Sequence, residues 1–237
     1  MGVRADEATA APVNTSVPAA AGVTVLDADA AVRRVVASAE WLPADDRVVL
    51  GIAGPPGAGK STLAERVVDE ARAAGVASVL VPMDGFHLVQ SELERLGRAD
   101  RKGAPDTFDA PAFVAALRRV REQRPGTPTV HLPLFDRAIE EPVAGAVPVE
   151  PEDRLVVVEG NYLLHDDGPG ADVRGLLDES WYLDLTDDVR VARLVARHVA
   201  FGKDPAATRD WVLRSDERDA RLVAAGRGRA DVVVRLG

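Results

Sequence analysis

Hydrophobic residues follow two alternating patterns along this chain. Short and nearly continuous apolar runs are typical of strands buried on both faces of a parallel sheet. Longer stretches carry apolar residues every three or four positions, which is typical of helices with one buried face. The runs that predict strands are 48–53, 78–81, 129–132, 155–158, 181–185 and 231–234. The stretches that predict helices are 25–41, 61–74, 110–121, 187–199 and 205–225.

Because predicted strands alternate with predicted helices, we expect an α/β protein with a central parallel sheet between two helical layers. The segments 97–108 and 136–153 are polar and rich in proline, glycine and charge, so we predict two long loops at the functional site. Residues 1–22 lack the apolar core of a signal peptide and are predicted to be a flexible leader. The folded domain is then expected to occupy 23–237.

Composition narrows the possible functions. The 237 residues carry a formal net charge of -9 and include no cysteine. The acidic balance argues against a nucleic-acid binder, and no apolar run is long enough to span a membrane. The lack of cysteine excludes disulfide scaffolds and thiolate sites and fits a cytoplasmic location. The histidines lack metal-ligand spacing, so we expect no zinc site, whereas homodimer formation stays open.

A phosphate-binding pattern follows the first buried run. The segment 54–61 fits G-x-x-x-x-G-K-[ST] at every fixed position, between a predicted strand and a predicted helix. Glycines let backbone N–H groups surround an anion, and the helix start adds a positive dipole end. We expect Lys60 to contact the β- and γ-phosphates of ATP and the Ser61 hydroxyl to bind Mg²⁺. The predicted nucleotide-binding residues are Gly54, Pro55, Gly57, Ala58, Gly59, Lys60, Ser61 and Thr62.

Two acidic residues follow predicted strands. Ligands of doubly wound sheets bind beyond the carboxyl ends of the strands, so Asp84 is predicted to face the same crevice as the phosphate-binding loop. There it can accept the proton of a substrate hydroxyl during phosphoryl transfer. Glu159 ends the strongest apolar run in the manner of a Walker B acid, and we expect it to reach Mg²⁺ directly or through water.

The predicted helix 187–199 has a basic face. Arg193 and Arg197 recur on that face, and near a phosphate site they can stabilise the transferring phosphoryl group, with a smaller part for Arg190. The alternative is a solvated basic surface. His87 and His165 each follow a candidate carboxylate, and they are either substrate contacts or ordinary loop histidines.

Five motifs together carry a family resemblance. They are GPPGAGKS at 54–61, MDGFHL at 83–88, RKGAPDTFD at 101–109, PLFDR at 133–137 and EGNYLL at 159–164. The combination resembles the phosphoribulokinase, uridine kinase and bacterial pantothenate kinase family. It is most similar to the branch described as nucleoside/nucleotide kinase-like or fructose-transport-associated kinase.

The resemblance implies a P-loop NTPase fold, a three-layer sandwich with a small mobile lid at about 197–208. It implies that Asp84 is the general base and that Arg193 and Arg197 occupy the lid-helix arginine positions. Through the matching motifs, it also marks candidate substrate contacts at Arg101, Lys102, Phe135, Arg137 and Tyr162.

The expected function is that of an ATP-dependent kinase. Its acceptor would be a hydroxyl of a nucleoside, a pantothenate-like compound or a sugar. The alternative is a regulatory or assembly protein that binds ATP without a metabolite acceptor. Asp84 and the long loops favour the kinase, since a pure switch does not need them, and the guanine-reading N-K-x-D motif is absent.

Overall fold

The computed structural model describes residues 23–43, 46–200 and 217–236, with the backbone alone for 197–200. The predicted leader, the Arg197 side chain and residues 201–208 of the predicted lid lie outside this description. Predictions about them therefore stay predictions.

A central parallel sheet organises the domain, as predicted; it has six strands, and the predicted strand 129–132 lies outside it, in a separate hairpin. The strands of the central sheet are β1 (Thr24–Asp27), β2 (Val48–Ala53), β3 (Ser78–Pro82), β6 (Leu155–Gly160), β7 (Glu179–Asp184) and β8 (Val232–Arg235). Their order across the sheet is β1-β8-β7-β2-β6-β3. Because β2 lies between β7 and β6, the strand that leads into the phosphate-binding motif occupies an interior position of the sheet.

Helices cover both faces of this sheet. They are α1 (Ala28–Glu40), α2 (Lys60–Ala73), α3 (Gln90–Arg95), α4 (Ala110–Glu122), α5 (Asp187–Ala200) and α6 (Glu217–Ala225). Along β6, Leu155 and Val157 belong to the hydrophobic cluster that contains α1 and α2 residues. Val156 and Val158 belong to the cluster that contains α4 residues. This alternation explains why the β6 sequence is continuously apolar, and it confirms the three-layer prediction.

In the part of the chain that the structure describes, no helix combines the length and the hydrophobicity needed to cross a membrane.

The prediction of a loop at 136–153 is wrong. Strand β4 (Val130–Asp136) pairs antiparallel with β5 (Glu141–Val149) in a two-stranded hairpin separate from the central sheet. Most of β5 is exposed, and its buried positions are Val147 and Val149. Because β5 is half exposed and is interrupted by proline and glycine, its sequence has little apolar periodicity. The sequence pattern therefore did not predict this strand.

The predicted helix 25–41 begins too early. Residues Thr24–Asp27 form β1, which pairs in parallel with β8 at the far end of the chain. The helix begins at Ala28, where the Asp27 carboxylate accepts a hydrogen bond from Ala30 N at 2.7 Å. Pairing with a sequence-distant strand therefore overrides the local helical spacing.

The segment 97–108 is not entirely irregular. It contains two short 3-10 turns, Ala99–Arg101 and Pro105–Thr107, and further such turns lie at Met83–Phe86, Gly168–Gly170, Val173–Leu176 and Arg227–Arg229. Of the predicted helix 205–225, the described part forms α6.

Candidate active site

Three sequence-distant segments meet where neighbouring strands end. In the sheet register, Glu159 of β6 lies between Ile52 of β2 and Pro82 of β3. The phosphate-binding loop begins two residues after Ile52, and Asp84 comes two residues after Pro82. The loop, Glu159 and Asp84 therefore adjoin one another at the carboxyl edge of the sheet.

The phosphate-binding loop (54–61) has left-handed backbone at two of its glycines, with φ of 80° at Gly57 and 91° at Gly59. A Cβ on Gly57 would lie 2.6 Å from Leu194 Cγ and 2.9 Å from the Arg190 carbonyl oxygen. Glycine is therefore required both for the turn and for the packing of α5 against the loop. Ala58, which belongs to the loop, is fully buried.

Lys60, the first residue of α2, extends its side chain back into the site. Its ammonium donates hydrogen bonds to the Pro55 carbonyl oxygen at 3.2 Å and to Asn161 Oδ1 at 2.7 Å. The side chain is largely buried, with 8% of the residue exposed. Ser61 and Thr62 follow as exposed residues of the first helical turn, where backbone N–H groups are available to an anion.

Glu159 is a buried carboxylate among charged neighbours. Its pKa is raised to about 7, mainly by burial; the nearby Lys60 ammonium acts to lower this pKa and the charge of Asp84 acts to raise it. The Ser61 hydroxyl donates a hydrogen bond to this carboxylate. A hydroxyl and a carboxylate are oxygen ligands that suit Mg²⁺, and a dication would offset the cost of a buried negative charge. These residues fit a magnesium ion beside the loop.

Asp84 lies on the 3-10 turn after β3 and pairs with a residue of the hairpin. Arg137 Nη2 is 2.6 Å from Asp84 Oδ2. The turn approaches the hairpin closely because its next residue is glycine, and a Cβ on Gly85 would lie 2.2 Å from the Pro133 carbonyl oxygen. The candidate base and the hairpin are therefore one packed unit.

His87 packs beside the candidate base. Its Nδ1 lies 2.7 Å from the Asp84 carbonyl oxygen, and its ring lies 4.0 Å from the Phe108 ring and 4.9 Å from the Phe135 ring. Burial lowers the pKa of His87, with smaller opposing effects from Asp84. The structure thus gives His87 a packing role, while its contact with substrate stays a prediction.

The two adjacent basic residues at 101 and 102 face different surroundings. Arg101 pairs with Asp106 at 2.9 Å. Lys102 Nζ lies 5.3 Å from the centroid of the Phe135 ring, which Arg137 Cζ approaches at 4.8 Å. Of the pair, Lys102 is therefore the one that joins the hairpin side of the site.

A cavity of about 240 Å³ lies beside the turn that carries Asp84. The Tyr162 hydroxyl, at one wall, donates a hydrogen bond to the Gly103 carbonyl oxygen at 2.7 Å. Most of the lining is apolar, and His165 contributes a polar ring. The lining residues are Met83, Pro105, Asp106, Ala110, Phe113, Tyr162, His165, Asp167, Gly168, Pro169, Gly170 and Val173.

Two arginines of α5 have different surroundings. Arg193 Nη1 would lie 3.6 Å from a Cβ on Gly59, which brings this guanidinium to the rim of the phosphate-binding loop. Arg190 is fully buried, pairs with Asp187 at 3.1 Å and with Glu217, and approaches the Pro56 carbonyl oxygen at 3.5 Å.

Sequence reasoning missed Asn161 and wrongly placed Arg190 on the basic face with Arg193, whereas Arg190 is fully buried and Arg193 is exposed. Asn161 follows Glu159 by two residues beyond a strand end, which is a position where site residues gather. Arg190 precedes Leu194 by one helical turn, so its place on the buried face was readable from periodicity. Both signals were local and available.

Comparison with known proteins gives consistent relatives. The model of the phosphoribulokinase / uridine kinase family matches residues 49–237. A provisionally named uridine kinase of Schizosaccharomyces pombe is 35% identical over 186 residues, 76% of this chain and 78% of that protein. A pantothenate kinase of Clavibacter sepedonicus is 36% identical over 147 residues, 60% of this chain and 45% of that protein. The crystal structure of a provisionally named fructose transport system kinase from Silicibacter sp. TM1040 matches with a TM-score of 0.79 at 35% identity, covering 88% of this chain and 98% of that one.

Proposed function

The chain belongs to the phosphoribulokinase / uridine kinase family, and we propose that it uses Asp84 as the base that prepares a small-molecule hydroxyl for phosphorylation. As a member of this family it is an ATP-dependent small-molecule kinase. The observation that carries the proposal is the convergence of Lys60, Glu159 and Asp84 beyond three adjacent parallel strands. The acceptor is a nucleoside, a pantothenate-like compound or a sugar.

The loop 54–61 holds the phosphates of ATP. Its N–H groups and the start of α2 provide the anion site, and Lys60 contacts the β- and γ-phosphates. Ser61 and Glu159 hold Mg²⁺, which when bound neutralises charge on the transferring phosphoryl group. The buried position of Glu159 supports this role, because burial of its negative charge is costly and a dication would offset that cost.

Asp84 accepts the proton of the acceptor hydroxyl. As that oxygen forms its bond to the γ-phosphorus, the bond to the bridging oxygen breaks and ADP departs. Arg193 supports the step by stabilising charge at the rim of the loop, for which its approach to Gly59 is the supporting contact. We assign Arg197 and the lid 197–208 a similar charge-covering role on the resemblance of their sequence.

The acceptor contacts lie on both sides of Asp84. We propose Phe135, Arg137 and Lys102 on the hairpin side, with Tyr162 and His165 at the neighbouring cavity. Arg101 and His87 complete the set, although each already has a protein partner, Asp106 and the Asp84 carbonyl oxygen respectively. They would act by shaping the site.

The test is coupled ADP release with wild type and Asp84→Asn over a panel of nucleosides, pantothenate and sugars. Wild type should release ADP faster with one acceptor, and Asp84→Asn should lose about 10²–10⁴-fold in kcat. Nucleotide Kd should stay the same, since the loop provides that affinity. An Asp84→Asn variant with unchanged transfer would remove Asp84 from the reaction. No acceptor-dependent release in wild type would favour an ATP-binding regulatory protein instead.

A further inference from the structure

Two cations approach one aromatic ring next to the candidate base. Phe135 is 8% exposed, and the Lys102 ammonium and the Arg137 guanidinium lie 5.3 Å and 4.8 Å from its ring centroid. They come from the segment after α3 and from the tip of the β4–β5 hairpin. Each cation is attracted to the ring, but the two like charges repel each other.

The protein compensates these charges incompletely. Among the residues that the structure describes, Asp84 is the carboxylate that pairs with Arg137, at 2.6 Å. Lys102 donates to the Glu140 carbonyl oxygen at 2.7 Å, which is a neutral partner. A dipole offsets a buried or half-buried ammonium less than a carboxylate does.

Two acidic residues of the hairpin, Asp136 and Glu141, bind other groups. Asp136 Oδ1 accepts a hydrogen bond from Ala138 N at 2.8 Å. The Glu141 carboxylate accepts from Gln90 N at 3.0 Å and 3.2 Å. These two carboxylates therefore accept from backbone N–H groups and pair with neither Lys102 nor Arg137.

The hairpin tip holds a residue in an uncommon backbone conformation. Glu140 has a φ of 55°, and among the described residues it is the one position other than glycine with a positive φ. Its carbonyl oxygen is the one that anchors Lys102. This conformation is uncommon for a residue other than glycine, and the carbonyl group of the same residue accepts the hydrogen bond from Lys102.

We propose that Lys102 and Arg137 bind an anionic group of the acceptor, a carboxylate or a phosphate, and that this anion draws Arg137 away from Asp84. The inference rests on the proposed function, since it specifies the class of acceptor. Phe135 forms the floor of the anion site, and the planar guanidinium suits either anion through paired hydrogen bonds.

The exchange of Asp84 for the acceptor anion as the partner of Arg137 links acceptor binding to the base. In the structure, the Arg137 guanidinium donates a hydrogen bond to Asp84 Oδ2. When the acceptor anion accepts hydrogen bonds from Arg137, that oxygen is released to accept the proton of the acceptor hydroxyl. The hydroxyl oxygen then bonds to the γ-phosphorus, the bond to the bridging oxygen breaks, and ADP leaves with the electron pair. Water lacks an anion and does not trigger the exchange.

The experiment compares matched neutral and anionic acceptors. ADP release is measured with ribose and ribose 5-phosphate, glycerol and glycerate, and pantothenol and pantothenate, at constant ionic strength. The variants are Arg137→Gln, Lys102→Gln and the control Arg95→Gln, whose side chain is exposed and paired with Glu92. Comparison of glycerate with ribose 5-phosphate shows whether the site binds a carboxylate or a phosphate.

We expect the anionic member of at least one pair to have the higher kcat/KM in wild type and in the control. Each of the two site variants should lose roughly 10- to 100-fold with that acceptor, the usual range for a charged hydrogen bond. Release of ADP without acceptor should rise in Arg137→Gln, because Asp84 loses its partner, and should not rise in the control Arg95→Gln. Equal or better turnover of neutral members would overturn the anion site and leave the kinase assignment standing.

A binding measurement distinguishes failure of the anion site from failure of the proposed function. With the loop saturated by Mg²⁺ and β,γ-imido-ATP, calorimetry follows ribose 5-phosphate and glycerate binding. If no acceptor is phosphorylated but these anions bind wild type and not Arg137→Gln, the anion site stands and the proposed function fails. If neither turnover nor anion binding occurs, both the anion site and the proposed function fail. If anions bind all variants equally, the anion site at Lys102 and Arg137 is excluded.

Discussion

The ammonium of Lys60 lies 2.7 Å from the side-chain oxygen of Asn161, which joins the start of α2 to the turn after β6. The same ammonium reaches the Pro55 carbonyl oxygen of the phosphate-binding loop. Lys60 is therefore held among loop, strand end and helix by contacts within the protein. Preorganisation of this kind lowers the cost of ordering a charged side chain on binding.

This contact makes Asn161 a testable part of the nucleotide site. Asn161→Asp places a carboxylate beside Lys60, which competes with the phosphates and repels them. We expect its Mg·ATP Kd to rise about 10-fold, within the range for hydrogen bonds to charged groups. Asn161→Ala should have a smaller effect, because it removes a partner without adding a charge. Calorimetric titration checks the series, and identical Kd values in all three proteins would exclude a role for Asn161.

Glu159→Gln tests the magnesium assignment. Glutamine keeps the size of the side chain and removes its negative charge, so we expect a several-fold rise in the Mg²⁺ concentration needed for half-maximal rate. Without Mg²⁺, the variant should be at least as stable as wild type to heat, since burial of the charge is costly. Rate against Mg²⁺ at saturating ATP provides the measurement. An unchanged half-maximal concentration would contradict the assignment.

Arg190 and Arg193 form a matched pair on one helix. Arg190 is fully buried and pairs with Glu217, so Arg190→Met should lower the free energy of unfolding by about 3 kcal/mol through the carboxylate left behind. Arg193 lies at the rim of the loop, so Arg193→Met should change stability by less than about 0.5 kcal/mol.

The same pair differs in its expected kinetics. Arg193→Met should lower kcat on the order of 10²-fold, the usual effect of removing one donor to transition-state charge. Urea unfolding and steady-state transfer on both variants separate the effects. Loss of stability in Arg193→Met with normal kcat would reverse the two assignments.

His87 should make stability depend on pH. Burial lowers its pKa below the ordinary value of 6.5, so in this range the unfolded chain binds a proton that the folded chain does not. The contribution of His87 is therefore fully present above pH 6.5 and decreases as pH falls through the lowered pKa.

The variant His87→Phe keeps an aromatic ring between Phe108 and Phe135 and removes the titration. Unfolding free energy measured from pH 8 to pH 5 should fall less steeply in this variant than in wild type. The control is His131→Gln, because His131 is exposed on β4. The same slope in His87→Phe and wild type would show that His87 does not titrate in this range.

Local patterns were enough to predict the central sheet, its covering helices and the phosphate-binding loop. The β6 run is apolar because neighbours cover both its faces, and the loop needs glycine at Gly57 for reasons of backbone geometry. Asp84 and Glu159 were predictable as a pair because parallel strands carry their carboxyl ends to one edge. Their catalytic and metal-binding roles are proposals that the experiments above test.

Contacts between distant segments were not predictable in this way. Strand β1 exists because β8 offers it an edge, although their sequence separation spans almost the whole domain. The hairpin formed by β4 and β5 is half exposed, so its second strand lacks apolar alternation.

The sequence by itself determined the family, the nucleotide loop and the alternation of most strands and helices, because each depends on motifs or patterns whose residues lie within a few positions of one another. The tertiary structure alone decided that Arg137 pairs with Asp84, that the Asn161 side chain accepts from Lys60 and that Glu217 is a partner of Arg190. Such pairings depend on where packed layers bring side chains from distant segments. No spacing along the chain encodes a distance of 2.6 Å between Arg137 and Asp84, since it arises from the close approach that Gly85 allows to the hairpin.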